Sequence, residues 1–536
     1  MKKIVLASAT ALALFCSGLA AASAASYSVE EKSIAQLQAD LARGAVSSQA
    51  LVRAYLTRIA AIDRSGPALH SIIAVNPHAL ADARALDAER RAGNVRGPLH
   101  GIPVLIKDNI ESDDGTATTA GSDALARNVT LRDAPLVKRL KAAGAIILGK
   151  TNLSEWANIR STHSISGWSS VGGLVKNPYA LDRNACGSSA GTGASIAASL
   201  AAVGVGTETD GSITCPSALN GLVGLKPTVG LVSRTRVVPI SHTQDTPGPM
   251  GRSVADVATL LQGLAGSDPA DVATKDADAH KKNYLAALKG ASLKGKRLGL
   301  LSFASHTGYP REDAVFANAV ALLKAQGATV IVLKDFKPDS KLGDYEDTVL
   351  ATELKTDLNA YLATTPMTVK SRTLADLIAF NKSHPRELSL FGQEYFNRAQ
   401  KLGGLDDPKY IKAHDEAKRL AGAEGIDKLI SENNLDALIS PSYGPAYRTD
   451  VVTGDHSSGD SSSLPAVAGY PHLTVPMGYV MGLPVGISFI GRAWTEDRLL
   501  AIGAAYERAT HVRHAPTYEG SVETSPAIAP YLAPAK

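Results

Sequence analysis

The sequence is poor in the residue types on which several common classes of protein depend. Its 536 residues include three cysteines, too few for a disulfide framework. Aromatic residues make up 5% of the chain, which argues against a stacking platform for single-stranded nucleic acid. Lys and Arg number 55 against 51 Asp and Glu, a net charge of +4, so no strong field of one sign would attract nucleic acid. The 13 histidines form no HExxH motif and no Cys/His pair at ligand spacing, so no metal site is predicted.

The rest of the composition is that of a large globular protein, with 45% hydrophobic and 20% charged residues. At about 150 residues per domain the length would allow three or four domains, but it also fits one large α/β body. Beyond its start, the chain has no charge-free apolar stretch of about 18 residues, so no membrane span is predicted.

The start of the chain has the pattern of an export signal. Lys2 and Lys3 precede an apolar run over residues 4–15, and residues 22–24 are the small sequence Ala-Ser-Ala. The apolar run is too short to span a bilayer comfortably. We therefore predict that residues 1–24 are a signal peptide and that the mature protein is exported, either to the periplasm or out of the cell.

Hydrophobic periodicity predicts alternating helices and strands along the mature chain. Two short amphipathic helices come first, one stopped by Gly44 and the next capped by Ser47 or Ser48. Buried strands are predicted over residues 102–106, 143–149, 203–207, 297–302, 328–333, 435–439, 473–477 and 485–490, and helices over residues 191–202, 314–325 and 499–506. This alternation favours an α/β sandwich with parallel pairing. Residues 340–435 are more polar and are predicted to be a helical insertion.

Two segments rich in glycine and serine are candidates for chemistry. Residues 186–191 are Cys-Gly-Ser-Ser-Ala-Gly, and residues 207–213 are Thr-Glu-Thr-Asp-Gly-Ser-Ile. The first segment also fits G-x-S-x-G, which would make Ser189 a nucleophile on a strand–turn–helix elbow, with Asp436 and His472 as candidate partners. The structural alternative is a pair of tight turns in which serines cap helices.

A lysine at the end of an apolar strand is the third candidate. Lys107 lies in the segment GPLHGIPVLIKDNI, residues 97–110. Burial disfavours an ammonium ion and lowers the pKa of a lysine, and a neutral lysine can serve as a general base. The alternative is a lysine whose charged end reaches water beyond the strand.

Together these segments resemble the amidase signature family. That family has a lysine in G-I-P-x-x-x-K-D, a G-S-S-x-G loop and a T-x-G-S-I turn that runs into G-L-V-G-L-K-P-T, and this chain contains all of them, ending at residues 221–228. Its two motif serines, Ser188 and Ser212, are 24 residues apart, as in the family. Weaker similarity covers residues 150–155, 245–250, 465–469 and 476–491. Within the family, residues 208–216 are most similar to bacterial peptide amidases, which remove the C-terminal amide of peptides.

The resemblance implies a fold and a domain organisation. The expected fold is an α/β/α sandwich around a large mixed β-sheet, with N-terminal covering helices. Residues 25–536 would form one amidase domain with its signature core at about residues 97–260.

The resemblance also implies roles for individual residues. Ser212 is expected to be the nucleophile, Ser188 the bridging serine held by a cis peptide bond, and Lys107 the base that receives a proton through Ser188. The backbone N–H groups of Thr209, Asp210, Gly211 and Ser212 are expected to form the oxyanion hole.

Two positions depart from the family pattern. Many relatives have glycine in place of Asp210 and arginine in place of Thr214. In amidotransferase relatives such an arginine helps to hold a substrate carboxylate, which Thr214 cannot do by charge, so free amino-acid amides are not the preferred substrate expected here. Asp210 is expected either to cap the following segment or to face a polar part of the substrate.

Other residues near these motifs receive structural interpretations. Cys186 and Cys215 are expected to be buried small hydrophobic residues, and in an oxidising compartment they could also pair. Ser189 is expected to hydrogen-bond within its loop. Trp168 could line a cleft or lie in the core.

The expected activity is hydrolysis of carboxamide C–N bonds through an acyl-enzyme, with the C-terminal amide of peptides as the first substrate. No metal, organic cofactor, nucleic acid, membrane or obligatory protein partner is expected. The alternatives are a broad aryl or aliphatic acylamidase, an α/β-hydrolase-type esterase that uses Ser189, a component of a tRNA-linked amidotransferase, and a non-catalytic exported solute-binding protein. A lysine base predicts that activity falls at acid pH.

Overall fold

The computed structural model describes residues 27–305, 308–459 and 461–534. The predicted export signal lies outside the described residues and stays a prediction. The centre of the fold is one mixed sheet of eleven strands with helices on both faces, which confirms the predicted α/β sandwich.

The structure has fifteen strands in its described part, four of them in two small separate sheets. They are β1 Ile72–Val75, β2 Pro103–Lys107, β3 Ile146–Thr151, β4 Trp168–Ser169, β5 Gly173–Leu174, β6 Lys176–Asn177, β7 Ala180–Asn184, β8 Val203–Glu208, β9 Val223–Lys226, β10 Thr246–Gly251, β11 Arg297–Leu301, β12 Thr329–Leu333, β13 Ala437–Pro441, β14 His472–Val480 and β15 Leu483–Ile490. The order in the large sheet is β1-β3-β2-β8-β10-β9-β14-β15-β13-β11-β12.

The large sheet has a parallel group near each end. β2 pairs in parallel with β3 and β8, and β11 pairs in parallel with β12 and β13. Between the two groups, β10, β9, β14 and β15 join by antiparallel pairing. Because parallel strands end at the same edge of a sheet, the carboxyl ends of β2, β3 and β8 come together, and Lys107 lies at that edge.

Eighteen α-helices cover the sheet or extend from it in the described part of the chain. They are α1 Ile34–Ala42, α2 Ser48–Arg58, α3 Ala79–Arg91, α4 Pro135–Ala142, α5 Ala190–Ala197, α6 Thr214–Leu219, α7 Val254–Leu264, α8 Ala277–His280, α9 Tyr284–Ala287, α10 Pro310–Ala325, α11 Leu342–Ala363, α12 Leu374–Ser383, α13 Glu394–Lys401, α14 Pro408–Lys418, α15 Lys428–Glu432, α16 Ser463–Ala468, α17 Glu496–Thr510 and α18 Ala529–Leu532. None of the helices described here has the length and apolar character needed to cross a membrane.

Local sequence explains where several of these helices begin and end. The predicted N-terminal helices are confirmed as α1 and α2, and the Ser47 side chain caps α2 by accepting a hydrogen bond from the backbone of Ala50. The helix predicted over residues 191–202 ends early, at Ala197, because the chain turns at Ser199, which has a positive φ of 55°, before β8 begins.

Candidate active site

Lys107 is the last residue of β2, and its side chain is completely buried at the carboxyl edge of the parallel strands. Its Nζ lies 2.7 Å from Oγ of Ser188, 3.0 Å from Oγ1 of Thr207 and 3.2 Å from the Thr207 carbonyl oxygen. All three contacts are with uncharged oxygen atoms. Burial lowers the pKa of Lys107 to about 7, although the charges of Asp245 and Glu208 act in the opposite direction.

The three contacts suit a neutral amine as well as an ammonium ion. A protonated Lys107 donates to all three oxygens. A neutral Lys107 has two N–H bonds left for Thr207 and a lone pair that can accept the Ser188 hydroxyl proton. Because the pKa is near 7, both states are populated near neutral pH, and the amine can gain and lose a proton there.

Ser188 lies in a loop between β7 and α5 that is packed closely against its surroundings. The Gly187–Ser188 peptide bond is cis, as the family resemblance implied. A Cβ atom at Gly187 would lie 2.2 Å from Oγ of Ser154, so any larger residue would displace that hydroxyl. The Ser188 carbonyl accepts a hydrogen bond from the backbone of Ser154 at 3.0 Å, which ties the loop to the segment after β3.

The hypothesis that Ser189 is an elbow nucleophile with Asp436 and His472 as partners is not supported, because each of these three residues binds a different group. The Ser189 hydroxyl donates to the Thr207 carbonyl at 3.1 Å and accepts from the Thr207 N–H at 3.2 Å. His472 is buried in β14, where its Nε2 lies 2.6 Å from a serine hydroxyl of β15, and burial lowers its pKa to about 3. Asp436 forms an ion pair with a lysine just before β11 at 3.0 Å.

Ser212 lies in the short turn between β8 and α6, and the buried carboxylate of Glu208 holds the end of this turn nearer to α6. Glu208, at the end of β8, accepts hydrogen bonds from the N–H groups of Ile213 at 2.6 Å and Thr214 at 2.9 Å. Burial raises the pKa of Glu208, while the charge of the buried Lys226 and these N–H groups act against the rise. Both ends of the turn are therefore fastened to β8.

The four predicted oxyanion donors do not all have the same surroundings. Gly211 has a φ of +78°, and its N–H acts on the Glu208 carboxylate, where it helps to lower the pKa of that group. In the described part of the chain, the N–H groups of Thr209 and Ser212 donate to no protein group. The Ser212 carbonyl accepts from the backbone of Ser189 at 3.2 Å, which brings the two serine loops together.

The two departures from the family pattern have structural partners. Thr214 is fully buried, and its hydroxyl donates to Glu208 at 3.2 Å, so it supports the turn instead of facing a ligand. Asp210 accepts hydrogen bonds from the hydroxyls of Ser462 and Ser463, the latter at 2.9 Å. Asp210 therefore fastens the turn to the start of α16, a segment more than 250 residues away in the chain. Neither expectation for Asp210, a cap or a substrate contact, included this link.

A cavity of about 540 Å³ lies beside the residues that bind Lys107, although Lys107, Ser188 and Ser212 are not among its lining residues. Asn109 and Thr207 line it, and the Asn109 amide shares the Thr207 hydroxyl oxygen with Lys107, at 3.0 Å. Thr209 also lines it, donating at 2.6 Å to Asp245, whose pKa burial raises to about 6. The other walls come from residues 234–247 and from α11, and they mix apolar side chains with arginine, histidine and aspartate. The cavity therefore offers space and polar partners next to Thr207, which binds the amine.

One group of side chains in the described part of the chain has the spacing of metal ligands. Ligand atoms of His242, Glu353 and Asp357 lie within 4.8 Å of one another. Glu353 already accepts the hydroxyls of Thr243 and Tyr410, at 3.0 and 2.7 Å, and Asp357 accepts from the His242 N–H groups. The donors present thus satisfy these carboxylates, and the group is explained as a hydrogen-bonded wall of the cavity.

Two further sequence interpretations are resolved by packing. Trp168 is 7% exposed and packs edge-to-face on Phe391, with ring centroids 5.3 Å apart, so it lies in the core. Cys186 and Cys215, which are 7% and 3% exposed, form a disulfide bond.

Sequence reasoning missed the residues that surround the amine and the Ser212 turn. Thr207 and Asn109 share a hydrogen-bonded cluster with Lys107, and Glu208 and Asp245 act on its pKa. These residues lie within or beside the sequence motifs, but the pairing of β2, β8 and β10 decides which atoms each of them contacts.

Comparison with known proteins finds a family model and close relatives that match most of the chain. Residues 50–500 match the protein-family model described as Amidase. A solved peptide amidase from Stenotrophomonas maltophilia is 48% identical, with a TM-score of 0.86 over 91% of this chain and 99% of that one. A protein named as a probable amidase from Arabidopsis thaliana is 40% identical over 92% of each chain. One component of the glutamyl-tRNA(Gln) amidotransferase from Roseiflexus castenholzii is 36% identical over 89% of this chain and 95% of that one.

The fold and these relatives define an amide hydrolase, an enzyme that cleaves carboxamide C–N bonds. The chain belongs to the amidase signature family, which confirms the resemblance found in its sequence.

Proposed function

We propose that this amidase removes the C-terminal amide of peptides, with Ser212 as nucleophile, Ser188 as proton relay and Lys107 as base. The observation that carries the proposal is the fully buried Lys107 amine, 2.7 Å from the Ser188 hydroxyl, with a pKa of about 7. A buried amine without a carboxylate contact would be an unfavourable structural element, and it has a clear use as a proton acceptor.

The acylation step begins with neutral Lys107. The amine accepts the Ser188 hydroxyl proton while Ser188 accepts the proton of Ser212, and the Ser212 oxygen attacks the amide carbon. Negative charge then develops on the substrate oxygen, where N–H groups of the turn over residues 209–212 stabilise it. The Gly211 N–H contributes less than the other N–H groups of this turn, because it is already directed to Glu208.

The remaining steps use the same relay in reverse. Ser188 returns a proton to the departing nitrogen, which leaves as ammonia from a primary amide, and Lys107 resupplies Ser188. Water then enters, gives its proton to the relay and attacks the acyl-Ser212 ester, which releases the carboxylic acid and regenerates the Ser212 hydroxyl.

The preference for peptides is supported by three observations. The solved relative at 48% identity is named a peptide amidase. Thr214 is uncharged and bonded to Glu208, so it offers no cation for the carboxylate of a free amino-acid substrate. The cavity of about 540 Å³ lined by Thr207 and Thr209 has room for more than a single small acyl group.

We also propose that the chain acts alone and outside the cytoplasm. The predicted signal over residues 1–24 motivates export, and the Cys186–Cys215 disulfide supports it, because such bonds persist in oxidising compartments. The amidotransferase relatives make a partner-dependent enzyme the alternative. Detection of the processed chain in a periplasmic fraction, without its first residues, would support export.

A substrate panel tests the proposed function. Peptide amides, free amino-acid amides and anilides are offered to the purified chain, and ammonia or aniline is measured. We expect the highest kcat/KM for peptide amides. Predominant aniline release would instead identify an acylamidase, and no turnover unless an amidotransferase partner is added would contradict the proposal.

Matched serine variants test the assignment of the nucleophile. Ser212→Ala is expected to lower kcat by about 10⁴-fold or more, as removal of a nucleophile does in serine hydrolases. Ser189→Ala, which removes the neighbouring hydroxyl, is expected to retain activity. The reverse result would restore the elbow hypothesis.

A further inference from the structure

The disulfide connects the two loops that carry the proposed catalytic serines. Cys186 lies two residues before Ser188, and Cys215 lies three residues after Ser212. The Cα atoms of the two cysteines are 6.0 Å apart. Each loop is irregular at its serine, between an element on one side and the start of a helix on the other, and hydrogen bonds hold each loop to β8. The disulfide adds a direct covalent link between the two loops.

Two hydrogen bonds flank the disulfide and join the same loops. On one side the Asn220 amide donates to the Ala185 carbonyl at 2.9 Å, and on the other the Ser189 N–H donates to the Ser212 carbonyl at 3.2 Å. The covalent bond lies between these contacts in both loops. The disulfide and the two hydrogen bonds therefore form three successive links between the two segments, and the last of these links is at Ser212.

The surroundings of the bridge make it a rigid link. Both cysteines are buried in a hydrophobic cluster that also contains Ala218, Tyr443 and Ala446. Cys186 has a φ of +57°, a conformation that is unfavourable for a residue with a Cβ atom, and its N–H donates to the Asn184 side chain at 2.7 Å. Attachment to Cys215 helps to hold this conformation immediately before the Gly187–Ser188 bond.

The base is held by different means. Lys107 extends from β2, which has strands β3 and β8 on either side, so its position is fixed by the sheet. Alignment of three groups for proton transfer thus requires that the serine loops be fixed to each other as firmly as the lysine is fixed by its strands.

We propose that Cys186 and Cys215 are positioning residues, whose disulfide holds Ser188 and Ser212 in mutual register for the proton relay. The proposal rests on the function proposed above. Loss of the bond would leave the substrate cavity in place, since neither cysteine lines it, and would slow proton transfer. A misplacement of about 1 Å at reacting groups costs up to about 10²-fold in rate, so a 10- to 100-fold fall in kcat is expected.

The test compares the oxidised wild-type chain with the double variants C186S/C215S and C186A/C215A. Active sites are first counted with a fluorophosphonate that labels Ser212, and kcat and KM are then measured per labelled site with a peptide amide. We expect kcat per site to fall 10- to 100-fold in both double variants, with KM changed little. The acid limb of the pH profile is expected to move little, since the burial of Lys107, its contacts with Thr207 and the charges of Asp245 and Glu208 are unaltered.

A stability control separates positioning from general destabilisation. Leu298→Ala creates a cavity in β11, in the other half of the sheet, and is expected to lower Tm without changing kcat per labelled site. If the double variants lose only Tm or the number of labelled sites, with kcat per site unchanged, the bridge is a fold-stabilising bond and the proposal is overturned.

A second readout keeps this test distinct from the test of the proposed function. The rate of fluorophosphonate labelling of Ser212 needs no amide substrate, and it is expected to fall in the double variants as kcat does. A wild-type chain that labels at Ser212 but does not cleave peptide amides would contradict only the proposed substrate. A labelling rate equal in wild type and double variants would contradict the positioning role.

Discussion

Two buried lysines on neighbouring strands have very different surroundings. Lys107 ends β2, and Lys150 lies near the end of the parallel strand β3, and both side chains are fully buried. Lys150 contacts the Asp108 carboxylate at 3.5 Å, along with the Ile110 carbonyl at 2.6 Å and a hydroxyl, whereas Lys107 contacts only uncharged oxygens.

The difference shows that burial at the same sheet edge does not by itself make a base. Asp108 follows Lys107 in the sequence, yet its carboxylate is directed to the lysine of the next strand. Burial raises the pKa of Asp108 to about 6, although the charge of Lys150 opposes the rise. One lysine is thus compensated by a carboxylate, and the other is left with a pKa near 7 and available for proton transfer.

The largest effect in this comparison is expected from Lys107→Met. Methionine fills a similar volume without an amine, so the proton acceptor is lost while packing is kept. We expect kcat/KM for a peptide amide to fall by about 10²- to 10⁴-fold, the contribution of a general base, and Tm to change by only a few degrees. An unfolded variant, or one with near wild-type activity, would contradict the role given to Lys107.

The matched substitution Lys150→Met is expected to have the opposite character. It leaves Asp108 as a buried carboxylate without its cation, which costs about 3–5 kcal/mol of unfolding free energy. Activity per folded molecule is expected to stay close to that of the wild type. Urea unfolding followed by circular dichroism measures the first effect, and active-site titration the second. A stable but inactive Lys150→Met chain would show that the two lysines share the chemistry.

The smallest effects concern pH. In the proposed mechanism the neutral form of Lys107 acts, so kcat/KM is expected to fall about tenfold per pH unit below about pH 7 and to level off above it. In the unfolded chain a lysine titrates near 10.4, so between about pH 7 and 10.4 the unfolded state binds more protons and Lys107 makes stability rise with pH. Lys107→Met is expected to remove that slope, measured as urea midpoints at several pH values.

Thr207→Val sharpens the pH prediction. It removes a hydroxyl oxygen that favours the ammonium form of Lys107, so the acid limb of kcat/KM is expected to move to lower pH, by less than about one unit. Thr474→Val serves as the control, because it removes a buried hydroxyl of β14 that is hydrogen-bonded to Ser442. This variant should leave the acid limb of kcat/KM unmoved. A shift to higher pH in Thr207→Val would contradict the geometry around the amine.

Much of the fold and of the candidate site could be predicted because the signals are local. The apolar runs that became β2, β3, β8 and β11 are long enough to identify as strands, and the motifs around Lys107 are strongly patterned. In contrast, β9 and β10 went unpredicted, because Val-Gly-Leu-Lys and Thr-Pro-Gly-Pro-Met-Gly contain glycine and proline, which are typical of turns.

The unpredicted details of the site are set by contacts between distant segments. No local pattern indicates that Asp108 pairs with Lys150, that Asp210 binds the start of α16, or that Glu208 fastens the Ser212 turn. The pairing of Cys186 with Cys215 is likewise open in the sequence, since two cysteines carry no signal of their own for pairing.

The position of α11 has a consequence for how such an enzyme can diversify. The proposed hydrolytic groups all lie between residues 107 and 212, whereas Ala360 and Tyr361 of α11 supply a separate wall of the cavity. Evolution, or an engineer, could exchange that wall and retarget the catalyst to new acyl chains while its reactive centre stays untouched.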